Sequence, residues 1–159
     1  LEQLANRVVT DSRIDLVAYL NAHENVQVHT ANGSLQFNKG GTYADPYGQK
    51  WEVNGDPAVL DVQQKEDGHW KYGAYKDLFR QLYAAVHVQP SAIVVTAHSG
   101  YEFQYENSPT HVGGGSHGGI TAQEMTVPLV VGGTNLRPKH DRLVDMKQYL
   151  IDCLERPME

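Results

Sequence analysis

Ser91-Ala92-Ile93-Val94-Val95-Thr96 is the stretch on which the fold turns. Ala92 to Val95 are apolar without a break. A strand with one wet face alternates polar and apolar residues, so this run predicts a strand buried on both faces, the kind found inside a parallel sheet. Pro90 ahead of it closes a helix predicted over Tyr75 to Val86, where Leu78, Leu82 and Ala85 are in register with Phe79, Tyr83 and Val86 beside them. Behind it, Ala97 to Gly119 has almost no periodicity and much glycine. Helix, buried strand and glycine-rich loop in succession predict an α/β domain, and loops at the carboxyl ends of parallel strands are where such domains hold their sites.

Upstream, Leu1, Leu4, Ala5, Val8 and Val9 share one face at helical spacing, and Thr10-Asp11-Ser12 ends that helix. Ile14 to Leu20 reads as a strand. Val26 to His29 and Leu35 to Phe37 alternate with a period of two, and Asn32-Gly33 between them predicts a hairpin turn. From 39 to 72 turn dipeptides break the chain into short pieces, with a strand at Trp51-Glu52-Val53 and a helical turn at Ala58 to Val62. Trp51, Trp70, Tyr43, Tyr47 and Tyr72 read as the small core of this module, with a base- or sugar-binding face as the alternative. Downstream, Thr121 and Glu124 have capping-box spacing, Val127 to Val131 reads as an edge strand carrying Pro128, and Leu143, Met146, Leu150, Cys153 and Leu154 mark a closing helix. The expected fold is α/β: a small, partial mixed sheet flanked by helices, with residues 14–72 as a hairpin-rich insertion or cap inside a single unit of 159 residues.

Composition narrows the function classes. The chain is 40% hydrophobic and 20% charged, which excludes wholesale disorder and collagen-like repetition. A formal net charge of −6 argues against a partner that is a nucleic acid polymer. No apolar run approaches the roughly 18 to 20 residues that cross a bilayer, so no membrane partner is expected. The single cysteine, Cys153, excludes an internal disulfide framework and reads as a small apolar helix residue. The first residues are already a helix in progress, so the chain reads as a fragment of a longer protein. The lack of a signal peptide then says nothing about compartment.

The residues that bear chemistry lie in two runs, Thr96-Ala97-His98-Ser99-Gly100-Tyr101-Glu102-Phe103 and His111-Val112-Gly113-Gly114-Gly115-Ser116-His117-Gly118-Gly119. Neutral imidazole is a good ligand for zinc, and flanking glycines leave a ring unobstructed. His117, His98 and His111 are therefore candidate metal ligands, with ordinary hydrogen-bonded histidines as the alternative. If the strand continues, Glu102 points opposite to Tyr101 and Phe103. It reads as a solvated or capped carboxylate, with a substitute acid or ligand as the alternative. The glycine run lacks the Lys-Ser/Thr ending of a Walker loop, and there is no Gly-x-Ser-x-Gly elbow.

Gly115-Ser116-His117-Gly118-Gly119-Ile120, leading through Glu124-Met125 into Val127-Pro128-Leu129, resembles the C-terminal part of the alkaline phosphatase superfamily, in its nucleotide pyrophosphatase/phosphodiesterase-like branch. Ile93 to Gly100 resembles the preceding family strand, which ends in Asp-His-Gly. The resemblance implies an alkaline phosphatase-like core and a two-metal hydrolase of phosphodiesters or nucleotide pyrophosphates, with zinc the expected metal. It implies that His117 matches the last metal ligand and His98 the histidine of the Asp-His pair, whose aspartate position holds Ala97 here. It also implies that the nucleophile and the first metal-binding aspartates lie earlier in the family's domain than anything matched here, so this chain alone is expected to be inactive. Expected partners are the remainder of its own catalytic domain, a phosphate-containing small molecule and, through exposed apolar edges, a second copy. Two alternatives remain: a degenerate relative that keeps the fold for ligand binding or interaction, and an α/β module with no site at all.

Overall fold

Residues 1–108, 113–115 and 118–155 are described by a computed structural model. It divides into two units, Leu1–Met125 and Thr126–Glu159. The first opens with helix α1 (Glu2–Val8), then strands β1 (Ile14–Leu20), β2 (Val26–Thr30), β3 (Gly33–Ala44) and β4 (Lys50–Gly55). A 3-10 turn (Pro57–Leu60) leads to the ribbon β5 (Val62–Gln64) and β6 (Trp70–Tyr72), then helix α2 (Leu78–Val88), strand β7 (Val94–Ala97) and the single turn α3 (Ala122–Met125). The protein is thus mixed α/β, with a five-stranded sheet ordered β4-β3-β2-β1-β7.

Every pairing in that sheet is antiparallel, including β1 with β7, which corrects the expectation of a partly parallel sheet. β7 is an edge strand with apolar contacts on both faces, Val94 on one and Ile93 and Val95 on the other, each only partly buried. On one face Leu16, Ala18, Val28, Leu35 and Phe37 pack with Leu78, Phe79 and Leu82 of α2. On the other, Val17 and Tyr19 pack with Ala5 and Val9 at α1, where Ile93 and Val95 join them. A helix on each face accounts for apolar residues at successive positions of β1 and β7, whatever the direction of their neighbours. Residues 14–72, read as an insertion or cap, supply four of the five strands and much of this core.

The hairpin of β2 and β3 forms as expected, one residue out of place. Thr30 pairs with Gly33, so Ala31-Asn32 makes the turn and Gly33, at φ +137°, opens β3. The module from 39 to 72 holds more strand than its turn dipeptides promise. β3 runs on to Ala44 across a bulge between Lys39 and Tyr43, both of which pair with Trp51. Gly41 sits inside it at φ +74°, where a Cβ would meet the Trp51 carbonyl oxygen. Trp51 and Trp70 are buried, Phe79 lies 5.2 Å from Trp70 and 4.7 Å from Phe37 between ring centroids, and Tyr43 stacks on Trp70 at 4.7 Å. Trp51, Trp70, Phe37 and Phe79 are core, each burying on the order of 150–250 Å², whereas Tyr43 lies exposed over Trp70. Helix α2 starts three residues later than its apolar pattern, because Asp77 adopts a left-handed φ of +52° ahead of it.

In the second unit, Val127 to Val131 forms no strand, contrary to expectation. Pro128 lacks an amide donor, and Val127 and Val130 are exposed. A 3-10 turn (Leu143–Asp145), held by a two-pronged Arg142–Asp145 pair at 2.7 and 3.0 Å, leads into α4 (Met146–Glu155). Its buried residue is Tyr149, whereas Leu143, Leu150 and Leu154 of the predicted face are exposed. Among the described residues, no helix is long and apolar enough to cross a membrane.

Candidate functional site

The chain leaves the sheet through Ala97-His98-Ser99-Gly100. The His98 amide donates to the Arg13 carbonyl at 2.8 Å, which extends the β1–β7 edge by one residue. The Tyr101 amide then donates back to the His98 carbonyl at 3.1 Å, closing a turn with Gly100 at φ +95°. That conformation at the third position of a β-turn is the reason for a glycine there.

Beside this turn, β1 carries an irregularity. Ile14 pairs with Ala97 and Leu16 with Thr96, so Asp15 is an extra residue with no partner across the ladder. Facing confirms the bulge: Ile14 packs with Val17 and Tyr19 near α1, whereas a regular strand would set it beside Leu16. Bulges re-aim side chains, and this one delivers a carboxylate into the interior. Asp15 is 7% exposed. Its Oδ1 accepts from the Tyr75 hydroxyl at 2.6 Å and its Oδ2 from the Thr96 hydroxyl at 3.3 Å. His98 Nδ1 lies 3.6 Å from Oδ1. Burial, followed by the bond to Asp15, pushes the Tyr75 phenol well above its ordinary range. Tyr75 also forms an antiparallel bridge with Thr121, and the Ala122 amide donates to the Ala74 carbonyl at 2.7 Å. The downstream end of the glycine loop is thereby tied to the Asp15 cluster.

A cleft of about 440 Å³ lies between these segments, lined on one side by Thr96, Ala97 and Gly100 and on the other by Gly118, Gly119 and Glu124. Thr121 Oγ1 donates to Glu124 Oε2 at 3.2 Å. The Glu124 carboxylate lies so close over Gly119 that a Cβ there would collide with it. Thr121 and Glu124 thus meet at the predicted spacing. Tyr101, Glu102 and Phe103 all line the same cleft. The predicted alternation of Glu102 against the two rings required a strand, and the chain has already left it.

Of the predicted ligands, His98 is placed at the end of β7 with its side chain half exposed. His117 and His111 lie outside the described residues. A resident divalent metal needs three or more donors, and among the described residues no group of three His, Cys, Asp or Glu side chains is gathered. Both Asp15 oxygens already accept hydrogen bonds, so the described residues do not by themselves complete such a site. Asp15, Tyr75 and Thr96 were missed in the sequence. The available signal was a single carboxylate inside the otherwise apolar Ile14-Asp15-Leu16-Val17-Ala18.

Two other buried polar groups have structural explanations. Asp45 accepts from the Tyr47 and Gln49 amides at 2.9 Å, Trp51 Nε1 at 3.1 Å and the Tyr72 hydroxyl at 3.1 Å, which ties the β3–β4 loop to the core. His29 pairs with Asn6 Oδ1 at 2.8 Å and stacks on Tyr19, and burial lowers its basicity.

Comparison with family models, with curated proteins and with solved structures gave no match.

Proposed function

We propose that this chain is the C-terminal part of a metal-dependent hydrolase of the alkaline phosphatase superfamily, acting on phosphodiesters or nucleotide pyrophosphates when joined to the rest of its catalytic domain. The observation that carries the reading is the shared cleft. The two stretches on which the resemblance rests, Ile93 to Gly100 and Gly115 to Glu124, are joined by residues 101–114 and line one cavity through Thr96, Ala97, Gly100, Gly118, Gly119 and Glu124. In this reading His117 and His98 are metal ligands, and the remaining ligands and the nucleophile come from the rest of the domain. A bound divalent cation of this kind polarises a phosphoryl oxygen and stabilises the leaving group. The exposed Val127 and Val130 are covered by that remainder.

A second reading is favoured by Ala97, which has no lone pair to offer a cation where the family strand carries an aspartate. In it the protein is a degenerate relative that keeps the fold for binding. The test is zinc content after incubation and dialysis, comparing the chain with His117→Ala. The hydrolase reading expects about one equivalent retained and lost in the variant. Zinc retained equally by both removes His117 from the site, and a longer parent chain that retains no zinc overturns the hydrolase in favour of the degenerate relative.

A further inference from the structure

Asp15 raises a question that packing does not answer. A buried carboxylate is costly to desolvate, and an asparagine would keep an acceptor oxygen for Tyr75 while its NH2 donated to the Thr96 hydroxyl, so the two hydroxyls alone do not require a charge. A negative charge is useful there only if it faces a group that a neutral amide serves less well. Arg13, on the far side of Ile14, is held elsewhere, by Asp11 through Nε at 2.9 Å. Among the described residues, His98 is such a group, with its Nδ1 3.6 Å from Oδ1. That separation exceeds a hydrogen bond, and contacts of this kind tighten when a ligand is engaged. Both partners are fixed from the backbone. The bulge between Ile14 and Leu16 sets Asp15, and the bond from the His98 amide to the Arg13 carbonyl sets His98 on the adjoining edge.

We infer that Asp15 is the positioning residue of His98: the carboxylate delivered by the β1 bulge holds the imidazole as its Nδ1–H tautomer and leaves Nε2 as the nitrogen that meets a ligand or a proton. Tyr75 and Thr96 keep the carboxylate from rotating away, each bonded to a different oxygen. A carboxylate behind an imidazole fixes its tautomer and ring orientation. The inference rests on the proposed hydrolase only for the use to which Nε2 is put. It also gives Ala97 a context, since the carboxylate next to His98 comes from the neighbouring strand.

The test is 15N NMR of the imidazole nitrogens in the full 159-residue chain, with His98 assigned among the eight histidines by comparison with His98→Gln. The expected result near neutral pH is a predominant Nδ1–H tautomer for His98. Asp15→Asn keeps an acceptor oxygen for Tyr75 and turns an NH2 toward the Thr96 hydroxyl, which can accept from it, and it should move the tautomer ratio toward Nε2–H by about tenfold or more, as loss of a charged acceptor implies. A predominant Nε2–H tautomer in the unsubstituted chain overturns the inference without any variant, and so does a ratio unmoved by Asp15→Asn. Zinc retention separates the two ideas. A His98 tautomer set by Asp15, with no zinc held by a longer parent chain, sustains the positioning role and removes the hydrolase. Zinc held by a chain whose His98 is the Nε2–H tautomer does the reverse.

Discussion

Ile14–Leu20 and Val127 to Val131 are both largely apolar and meet opposite fates. In β1 every side chain from Ile14 to Tyr19 is buried, between α1 on one face and α2 on the other. In the second stretch Val127 is 74% and Val130 91% exposed, and no ladder forms. Branched apolar residues make a segment willing to extend, but it is a hydrogen-bonding neighbour and a covered face that make it a strand.

Substitutions sharpen or break that comparison. Leu16→Ala empties a fully buried site between the sheet and α2, and the expected loss is about 2–5 kcal/mol in urea denaturation. A loss below about 1 kcal/mol would show that the centre of the sheet is not packed as described. The α1 face is probed by pH. Burial disfavours the protonated form of His29, with Glu2 pulling the other way to a smaller extent. An unfolded imidazole titrates near 6.5. Below that pH the unfolded chain takes up a proton that the folded chain refuses, so this contribution is complete above about pH 6.5 and is lost as pH falls through the lower folded value. The urea midpoint should therefore drop between pH 7.5 and 5.5, and by less in His29→Gln. An identical drop in both would place the pH sensitivity elsewhere. The smallest effect belongs to the exposed stretch, where Val130→Ser should change stability by no more than about 0.5 kcal/mol. A loss equal to that of Leu16→Ala would erase the contrast altogether.

Local features were legible because local chemistry dictates them. Alternation marked the β2–β3 hairpin, and helical spacing marked α1 and α2. The uninterrupted run at Ile93 to Val95 announced two covered faces. It did not announce strand direction, since a pair of helices on an antiparallel sheet leaves the same pattern as a parallel one. Turn dipeptides between 39 and 72 obscured the long β3, because a strand that absorbs a bulge at Gly41 looks broken when read residue by residue. Of the candidate site, His98 and the glycine loop stood out by type. Asp15 did not, because its meaning depends on Tyr75, 60 residues away, and Thr96, 81 residues away. Long-range partners of that kind leave no spacing to read.

The antiparallel union of β1 with β7 has a consequence for the order in which the molecule assembles. β1 to β4 follow one another through short connections, so their ladders close at little entropic cost and can form early. β7 must return to β1 across the whole of β2 to α2, and closure cost rises by about 0.6 kcal/mol with each doubling of the loop. Contacts of such separation form late and slow the whole reaction. The Asp15, Thr96 and His98 cluster sits on that seam. The chemistry-bearing corner of the protein is thus expected to be the last part of the sheet to close in folding, an order that hydrogen exchange of the β7 amides would check.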